Sequence, residues 1–407
     1  MSETAHGAGS GADGEGARLA AAGLPVLEDL GDVDGLRVLV RVDFNVPLEE
    51  HDDGTRTVAD DFRIKTALPT LEWLKAHGAK VTACSHLGRP ADAPDPRWDM
   101  EPVREALAAA CPGVSLLENL RFSPGERAND PAFVDELVEG QDAYVDEAFS
   151  AAHRAHASIV GPPARLPSAA GRQLAREVEV LGGLMAHPDR PFVAVVGGAK
   201  VADKLGVLEA LAAEVDALVV GGAMAFTFLA AQGRGVGDSP VDDAHLEDCR
   251  TLLASGVPVL LPTDVVVLAS DAPFGAGVHD QSEAVSPRVE DGDIGEGWRG
   301  LDIGPQSADV FRQSIVTAAT VLWNGPMGVV EDERFADGTR RVADAVAACP
   351  GMTVVGGGDS VSAVRHLGVA DRIGFLSTGG GATLEFVEKG DLPGLAALRA
   401  APNAARR

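Results

Sequence analysis

"PFVAVVGGAKVADKLGVLEALAAE", residues 191–214, predicts a strand followed by a helix. The first six residues are a continuous apolar run, and Gly197 and Gly198 end it. Apolar residues then recur at the spacing of a helix's buried face: Val201, Leu205, Leu208 and Ala212. Strand, glycine turn and helix together form the unit from which helix-covered parallel sheets are built.

The same alternation extends over most of the chain. Strand-like runs in the first part are "RVLVRVDF", "KVTACSH", "VSLLENLRF" and "DAYVDEAF". Those in the second part are "PFVAVVGG", "ALVVGG", "VPVLLP", "TVLWNGP", "MTVVGGG" and "RIGFLSTGG". Two groups of strands predict an α/β fold of two Rossmann-like lobes, each a parallel sheet with helices on both faces, joined by a linking helix.

Composition shifts suggest where the domains begin and end. Residues 1–22 are small, Gly-rich and acidic, so we expect a disordered tail. An N-terminal domain is expected over 23–170, a linking helix or hinge over 171–190, and a C-terminal domain over 191–381. Residues 382–407 are too few for a domain, and we expect them to pack back onto the N-terminal domain.

The charge balance excludes some functions. A net charge of −27 argues against a nucleic-acid surface, because backbone phosphates require a basic footprint. The 34 basic residues include only six lysines, a balance that resembles proteins adapted to high salt, where screening weakens self-repulsion.

The four cysteines are too widely spaced for a disulfide framework or a paired-cysteine metal site. Without an apolar membrane span or signal core, we expect a cytoplasmic protein with no membrane partner.

Lys200 and Lys204 lie just after Gly197 and Gly198 and are expected in the first turns of the following helix. Cations there meet the positive end of the helix dipole, and like charges four residues apart repel each other. An anion bound at the turn would make both placements favourable, and we take phosphate as the working hypothesis. The alternative is two solvated surface lysines, with Asp203 offsetting part of their repulsion.

Glycine follows strand after strand in the second part, which suggests a nucleotide site. The runs are Gly197-Gly198, Gly221-Gly222, Gly325, Gly356-Gly357-Gly358 and Gly379-Gly380-Gly381. Glycine lets the backbone approach a ligand closely, although tight turns alone would also explain any single case. The P-loop pattern is absent, and G-x-G-x-x-G matches only at 9–14 and 295–300, where no strand precedes it.

Arginines take the corresponding positions in the first part. Polar side chains follow its strands: Asp43, Asn45, His86, Arg89, Arg121, His153, Arg154 and His156, with Arg63 near the start of a helix. In so acidic a chain, guanidinium groups at one sheet edge suggest a receptor for a small anion bearing phosphate or carboxylate. Any one arginine could instead be solvated or salt-bridged, and a histidine near a strand end is more often structural.

An arginine-rich rim on one domain and a glycine-rich rim on the other suggest passage of a phosphoryl group between them. A protein that only binds phosphorylated metabolites would use the same rims, and an assay of ADP phosphorylation separates the two hypotheses. A nicotinamide-dependent dehydrogenase would need a strand-borne dinucleotide fingerprint, which the sequence lacks.

Nine motifs, in order and over nearly the whole chain, resemble phosphoglycerate kinases. They are "RVDFNVPL", "SHLGRP", "ENLRF", "AHRAHAS", "VVGGAKVADK", "GGAMAFTFL", "LWNGPMGVVE", "VGGGDSV" and "STGGGATLEF". The resemblance implies a monomer that transfers a phosphoryl group from 1,3-bisphosphoglycerate to Mg-ADP, giving 3-phosphoglycerate and ATP in glycolysis. It also implies a magnesium ion carried by the nucleotide.

The resemblance also implies roles for individual residues. Phosphoglycerate would be held by Asp43, Asn45, Arg63, His86, Arg89, Arg121 and Arg154. Arg63 and Lys200 would be catalytic, both acting on the transferring group. Nucleotide would be held by Lys204, Gly222, Gly304, Asn324, Glu331, Gly357, Gly358, Asp359 and Ser360, with Asp359 also serving the metal. Ser360 replaces the common Thr but keeps the hydroxyl, and Val330 replaces a frequent aromatic beside the ribose contact Glu331.

Overall fold

The computed structural model describes residues 23–275 and 286–402. The tail expected over 1–22 and the last five residues lie outside this described part. The described residues form two compact units. The amino-terminal unit comprises the described parts of Gly14–Gly183 and Lys389–Arg407, and the carboxy-terminal unit comprises that of Leu184–Glu388.

The amino-terminal unit is built on a five-stranded parallel sheet. Its strands and those of a small hairpin are β1 (Arg37–Arg41), β2 (Leu48–Glu50), β3 (Arg56–Val58), β4 (Lys80–Cys84), β5 (Ser115–Leu116), β6 (Ala143–Asp146) and β7 (Ser168–Ala170). The sheet has the order β5-β4-β1-β6-β7, and β2 pairs with β3 in antiparallel fashion. Four of the five β1 residues are buried, as expected for a strand covered on both faces.

Helices cover this sheet. They are α1 (Phe62–Ala76), α2 (Glu101–Ala110), α3 (Pro124–Ala128), α4 (Pro131–Val138), α5 (Ala157–Val160) and α6 (Arg172–Ala186), of which α6 belongs to this unit as far as Gly183. Ile64 and Leu71 of α1 share one apolar core with Val38 and Val40 of β1. This packing fixes α1 beside β1, which places its first turn near the carboxyl end of that strand.

The carboxy-terminal unit contains a six-stranded parallel sheet and a three-stranded antiparallel one. Its strands are β8 (Phe192–Val196), β9 (Ala217–Val220), β10 (Val259–Leu260), β11 (Asp264–Ala269), β12 (Arg288–Asp291), β13 (Trp298–Ile303), β14 (Thr320–Asn324), β15 (Met352–Gly356) and β16 (Phe375–Leu376). The parallel sheet has the order β10-β9-β8-β14-β15-β16 and the antiparallel sheet the order β12-β11-β13. All five residues of β8 are buried.

Among residues 184–275 and 286–388, seven helices follow these strands. They are α7 (Leu205–Glu214), α8 (Ala225–Ala231), α9 (Leu246–Leu253), α10 (Pro305–Val316), α11 (Asp337–Ala348), α12 (Gly358–His366) and α13 (Gly381–Lys389). The last helix, α14 (Pro393–Ala400), belongs to the amino-terminal unit, where Gly394 N donates to Ala152 O at 2.8 Å. Short 3-10 helices occur at Leu27–Leu30, Pro96–Trp98, Leu120–Phe122, Phe149–Ala151, Pro162–Ala164, Asp243–His245, Glu333–Phe335 and Ala370–Arg372.

The predicted fold class is confirmed, because each strand-like run of the sequence contains a strand of one of the two parallel sheets. The hairpin β2–β3 and the antiparallel sheet were not predicted. β2, β3 and β12 are largely exposed and carry no apolar run, whereas β11, with the sequence DVVVLA, is a mostly buried apolar run that the prediction omitted. Within the described ranges, every helix falls short of the length and apolar character needed to cross a bilayer.

Candidate functional site

Seven side chains lie at or beside the carboxyl edge of the amino-terminal sheet. β5, β4, β1 and β6 are consecutive parallel neighbours, so their carboxyl ends share one edge. Each is followed by at least one of the seven, and α1 carries Arg63 in its first turn, as predicted. We call this set the arginine rim: Asp43, Asn45, Arg63, His86, Arg89, Arg121 and Arg154.

Asp43 holds Arg63 in place. The two side chains form an ion pair, and the Ser150 hydroxyl donates a second hydrogen bond to the same carboxylate. Burial acts to raise the pKa of Asp43, but the Arg63 charge and the Ser150 hydrogen bond outweigh it, so the pKa lies below its usual value. Arg63 keeps 31% of its side chain exposed, which leaves donors for a ligand.

The loop after β4 joins two further members of the rim. Gly88 N donates to Asn45 Oδ1 at 2.8 Å, and Arg121 Nη1 donates to Gly88 O at 2.6 Å. Gly88 has a φ of +61°, and a Cβ at this position would collide with the Trp98 ring. Glycine is therefore required for the turn that connects Asn45 to Arg121.

Three guanidinium groups of the rim have no carboxylate partner within the described part of the chain: those of Arg89, Arg121 and Arg154. Burial, followed by the nearby charges of Arg154 and Arg41, lowers the pKa of Arg121 to about 10. Burial and the Arg154 charge likewise lower the pKa of His156 to about 4. The positive charges of Arg121, Arg154 and Arg41 repel one another, and an anion bound beside Arg121 would relieve the repulsion.

Sequence reasoning missed the buried support of the rim. Arg41 ends β1 and is 1% exposed. Its Nε donates to Ser158 Oγ at 2.9 Å and its Nη2 to His86 Nδ1 at 3.0 Å. The available signal was a charged residue that ends an apolar strand, because a buried charge is rare unless it is paired or used.

The glycine runs of the second part lie at the carboxyl edge of the other parallel sheet. They follow β9, β8, β14, β15 and β16, which are consecutive neighbours in that sheet. We call them the glycine rim: Gly197-Gly198, Gly221-Gly222, Gly325, Gly356-Gly357-Gly358 and Gly379-Gly380-Gly381. Their convergence on one edge is what the sequence predicted.

Some of these glycines also serve packing between loops. Gly198 N donates to Pro326 O at 3.1 Å, and Gly222 N donates to Met327 O at 3.1 Å. Gly222 has a φ of +67°, and a Cβ there would lie 2.5 Å from Gly198 N. At Gly198 and Gly222 the loops after β8, β9 and β14 therefore meet backbone to backbone, which a larger residue would prevent.

The two lysines precede the helix rather than forming its first turns, so that prediction is wrong. α7 begins at Leu205, and Lys204 is its N-cap residue. Lys204 Nζ instead donates to Gly197 O at 2.6 Å and to Asn324 Oδ1 at 2.8 Å. Burial lowers the pKa of Lys204 to about 8. Lys200 is exposed and has no partner among the described residues.

Asn324 presents a buried hydrogen-bond donor to the loop after β15. It is 5% exposed, and its Nδ2 has no hydrogen-bond partner in the described part. A Cβ on Gly357 would lie 3.1 Å from this atom, and Gly357 is the N-cap of α12. Ser360 of α12 accepts from Gly325 N at 2.7 Å, which fixes the helix against the rim. A free donor beside a helix N-terminus is suited to an anion.

A cavity of about 450 Å³ opens beside the glycine rim, within the carboxy-terminal unit. Its apolar lining includes Phe226, Val265, Leu301 and Met327. β11 and β13 of the antiparallel sheet supply two of these residues, which is why the sequence did not predict the cavity. A concave, mainly apolar site of this size suits a nucleoside-sized ligand.

The predicted nucleotide residues divide into two groups. Gly222, Glu331 and Asp359 line the cavity, and Glu331 and Asp359 are exposed. Gly304 is not among the lining residues, and a Cβ there would collide with the Asp264 carboxylate, which gives glycine a packing reason at this position. The others, Lys204, Asn324, Gly357, Gly358 and Ser360, gather at the carboxyl ends of β14 and β15.

Two α/β units, whose parallel sheets carry polar side chains or glycines along their carboxyl edges, make up the described chain. The family model of phosphoglycerate kinase matches residues 27–114 and 108–390. The chain therefore belongs to the phosphoglycerate kinase family, and it is a phosphotransferase with a carboxyl group as acceptor.

Individual relatives agree over nearly the full chain. A phosphoglycerate kinase of Rubrobacter xylanophilus is 49% identical over 391 residues, covering 90% of this chain and 96% of the relative. A phosphoglycerate kinase of Frankia alni is 49% identical over 406 residues, covering 91% of this chain and 99% of the relative. The solved phosphoglycerate kinase of Coxiella burnetii superposes with a TM-score of 0.79 at 34% identity, covering 92% of this chain and 98% of that one.

Proposed function

We propose that this enzyme catalyses reversible phosphoryl transfer from 1,3-bisphosphoglycerate to Mg-ADP, giving 3-phosphoglycerate and ATP, as a step of glycolysis. The relatives' name supports the substrate class. The observation that carries the proposal is the arginine rim itself. In a chain of net charge −27, three arginines at one sheet edge have no carboxylate partner in the described part.

The arginine rim binds phosphoglycerate in this proposal. Arg89, Arg121 and Arg154 bind its phosphate or carboxylate oxygens through forked, charge-assisted hydrogen bonds. His86 and Asn45 add neutral polar contacts, and Asp43 orients Arg63. Because guanidinium forks match planar and tetrahedral oxyanions, this arrangement favours a small, multiply charged acid over a neutral sugar.

The glycine rim and its cavity bind the nucleotide. The base and ribose occupy the apolar cavity, with Gly222 in its wall and Glu331 accepting from the ribose hydroxyls. Gly304 would lie near the adenosine through its neighbour Ile303, which lines the cavity. The phosphates extend along Lys204, Asn324 and the N-terminus of α12, where Gly357, Gly358 and Ser360 lie. The unpaired Asn324 Nδ2 supports this placement, because a phosphate oxygen would supply its missing acceptor.

The residues present fit a magnesium ion that arrives with the nucleotide. No group of three or more His, Cys, Asp or Glu side chains that could hold a metal occurs in the described ranges. Magnesium is commonly bound by one or two carboxylates plus substrate phosphates, so the exposed carboxylate of Asp359 beside the rim is sufficient. Bound there, the ion would neutralise phosphate charge.

Arg63 and Lys200 act on the transferring group. Phosphoryl transfer needs positioning and charge stabilisation rather than a covalent enzyme intermediate. Arg63 stabilises charge on the transferring group from the phosphoglycerate side, and Lys200 does so from the nucleotide side. We propose that the two units close in a hinge motion for an in-line transfer, which also excludes water from the acyl phosphate.

A coupled assay of ADP phosphorylation by 1,3-bisphosphoglycerate tests the function directly. Turnover that requires both substrates and magnesium is the expected result. Binding of both substrates without turnover would favour a protein that only sequesters phosphorylated metabolites. Run over a series of KCl concentrations, the same assay tests adaptation to high salt, which predicts activity that is maintained or raised as KCl increases.

The remaining assignments follow from the family and the composition. We propose a monomer located in the cytoplasm, with 3-phosphoglycerate or 1,3-bisphosphoglycerate and ADP or ATP as partners, and with no nucleic-acid or membrane partner. Sedimentation at working concentration tests the monomer, since a stable dimer would sediment at twice the mass.

A further inference from the structure

The cavity beside the glycine rim has a guanidinium group in its wall. Arg299 lies on β13 and is the basic residue among the described residues that line the cavity. Its Nη2 donates to Ala272 O at 2.5 Å, and its guanidinium carbon lies 4.4 Å from the centre of the Phe274 ring. The ring and the carbonyl together hold the guanidinium in one orientation.

Arg299 keeps unused hydrogen-bonding capacity. Its Nε is buried and has no hydrogen-bond partner among the described residues. Asp238, Asp302, Glu331 and Asp359 also line the cavity, yet within the described part Arg299 pairs with none of them. The Asp302 carboxylate is occupied by Gly338 N at 2.8 Å and Ile303 N at 2.9 Å. The two Nη groups carry four N–H donors, of which Ala272 O takes one, so a ligand acceptor in the cavity that Arg299 lines would meet unused donors.

A guanidinium group can distinguish guanine or hypoxanthine from adenine, because it donates hydrogen bonds and cannot accept them. Guanine and hypoxanthine present two acceptors on one edge, O6 and N7, which match a guanidinium fork. Adenine presents N7 as an acceptor but an amino donor at position 6, which would face the guanidinium donors. The other charged side chains of the lining are carboxylates, and the rest of the described wall is mainly apolar, so Arg299 is the charged donor there that can favour a base edge with two acceptors.

We propose that Arg299 is a specificity-determining residue that makes the cavity accept guanine and hypoxanthine nucleotides at least as well as adenine nucleotides. This inference rests on the proposed function of the cavity as the nucleotide site. Phe274 and Ala272 O pre-organise the fork, so little conformational freedom is lost when a base binds.

Titration calorimetry of the full chain with ADP, GDP and IDP, each with magnesium, tests the proposal. GDP and IDP are expected to bind at least as tightly as ADP. In Arg299→Met, binding of GDP and IDP relative to ADP is expected to fall about tenfold, because the two-acceptor contact is lost. Arg299→Lys keeps the charge but not the fork, and the same fall is expected.

Arg288→Met is the matched control. Arg288 lies on β12 of the same sheet with its guanidinium 3.5 Å from the centre of the Trp298 ring, but it does not line the cavity. The Arg288→Met variant should bind GDP, IDP and ADP in the same ratio as the unmodified chain. Should an Arg299 variant fail to fold, 7-deaza-GDP replaces it: this nucleotide lacks N7 and is expected to bind the unmodified chain about tenfold more weakly than GDP.

Two results would overturn the assignment: an unchanged GDP-to-ADP ratio in Arg299→Met, or equal binding of GDP and 7-deaza-GDP. Weak binding of IDP beside strong binding of GDP would also overturn it, because the 2-amino group would then be the feature recognised. These binding ratios do not depend on turnover. If no nucleotide supports phosphoryl transfer, the proposed function fails while the base preference is still measured.

Discussion

Arg41 Nη2 and His86 Nδ1 lie 3.0 Å apart in a buried contact beneath the arginine rim. A guanidinium can only donate, so Nδ1 accepts, and the proton of a neutral imidazole must lie on Nε2. Burial and the Arg41 charge hold the pKa of His86 well below its usual value. His86 is therefore a neutral ring whose N–H donor is Nε2, suited to a phosphate oxygen.

We expect His86 to remain uncharged as pH falls from 8 through 6.5. An unfolded chain binds this proton near pH 6.5 and the folded chain does not, so the free energy of unfolding should decrease as pH falls below 6.5. NMR titration of the imidazole C–H signals measures the charge state of His86 as a function of pH. His245 provides an internal reference, because Asp248 raises its pKa and it should gain charge in the same experiment. A His86 signal that titrates near 6.5 would contradict the assigned tautomer and charge.

Arg63→Ala should lower kcat about tenfold or more and leave the affinity for ADP nearly intact, because Arg63 acts on the transferring group from the phosphoglycerate side and is not among the proposed nucleotide residues. Steady-state kinetics with both substrates varied measure the effect. Arg37→Ala is the control: Arg37 forms an ion pair with Asp142 in the same unit but lies outside the rim. An unchanged kcat in Arg63→Ala would remove Arg63 from the transition state.

Lys200→Ala should reduce turnover more than it weakens binding of 3-phosphoglycerate. Lys200 is exposed, so its removal should cost little stability. Comparison of kcat with a directly measured Kd separates the two effects, and Lys65→Ala, which removes another exposed lysine, is the control. Equal losses in turnover and binding would show that Lys200 serves ground-state binding.

Gly222→Ala should weaken nucleotide binding, since the new Cβ would lie 2.5 Å from Gly198 N and force the loops apart. Gly233→Ala is a matched control, because Gly233 also has a positive φ, +83°, but no atom within 4 Å of the added Cβ. Each variant should lose about 1 kcal/mol or more through backbone strain alone. Denaturant unfolding and ADP titration should show an additional loss only in Gly222→Ala; matching losses would mean that the loop contact is unimportant.

Glu147 should make the protein less stable as pH rises. Burial raises the pKa of Glu147 to about 8, although Thr70 and Gln173 N donate to its carboxyl group. The folded pKa exceeds the usual 4.5, so the stabilisation is complete below pH 4.5 and is lost as pH approaches 8.

Glu147→Gln cannot ionise, so its free energy of unfolding should fall less between pH 4.5 and 8 than that of the unmodified chain. Urea unfolding over this range measures the difference, with the exposed Glu139→Gln as the control. Parallel pH profiles for Glu147→Gln and the unmodified chain would show that Glu147 is already ionised in the folded state.

The parallel sheets were predictable because the evidence for them is local. β1 and β8 are apolar runs since both faces are covered, and such runs are visible without any knowledge of their partners. The two rims were predictable because their evidence is also local. Polar residues or glycines come directly after strands, and parallel strands bring those positions to one edge of a sheet. The start of α7 was misplaced because the contacts of Lys204 with Gly197 and Asn324 were not visible in the helical spacing.

From the amino-acid sequence alone follow the α/β class, the two groups of strands and the membership of both rims, because short-range apolar spacing and strand-end chemistry encode them. Only the folded chain decides which polar groups pair and which remain unpaired. Arg41 meets His86 across 45 positions, and the cavity needs β11 and β13 beside the parallel sheet. Such contacts depend on the packing of distant segments, and so do the charge of His86 and the free donor of Arg299.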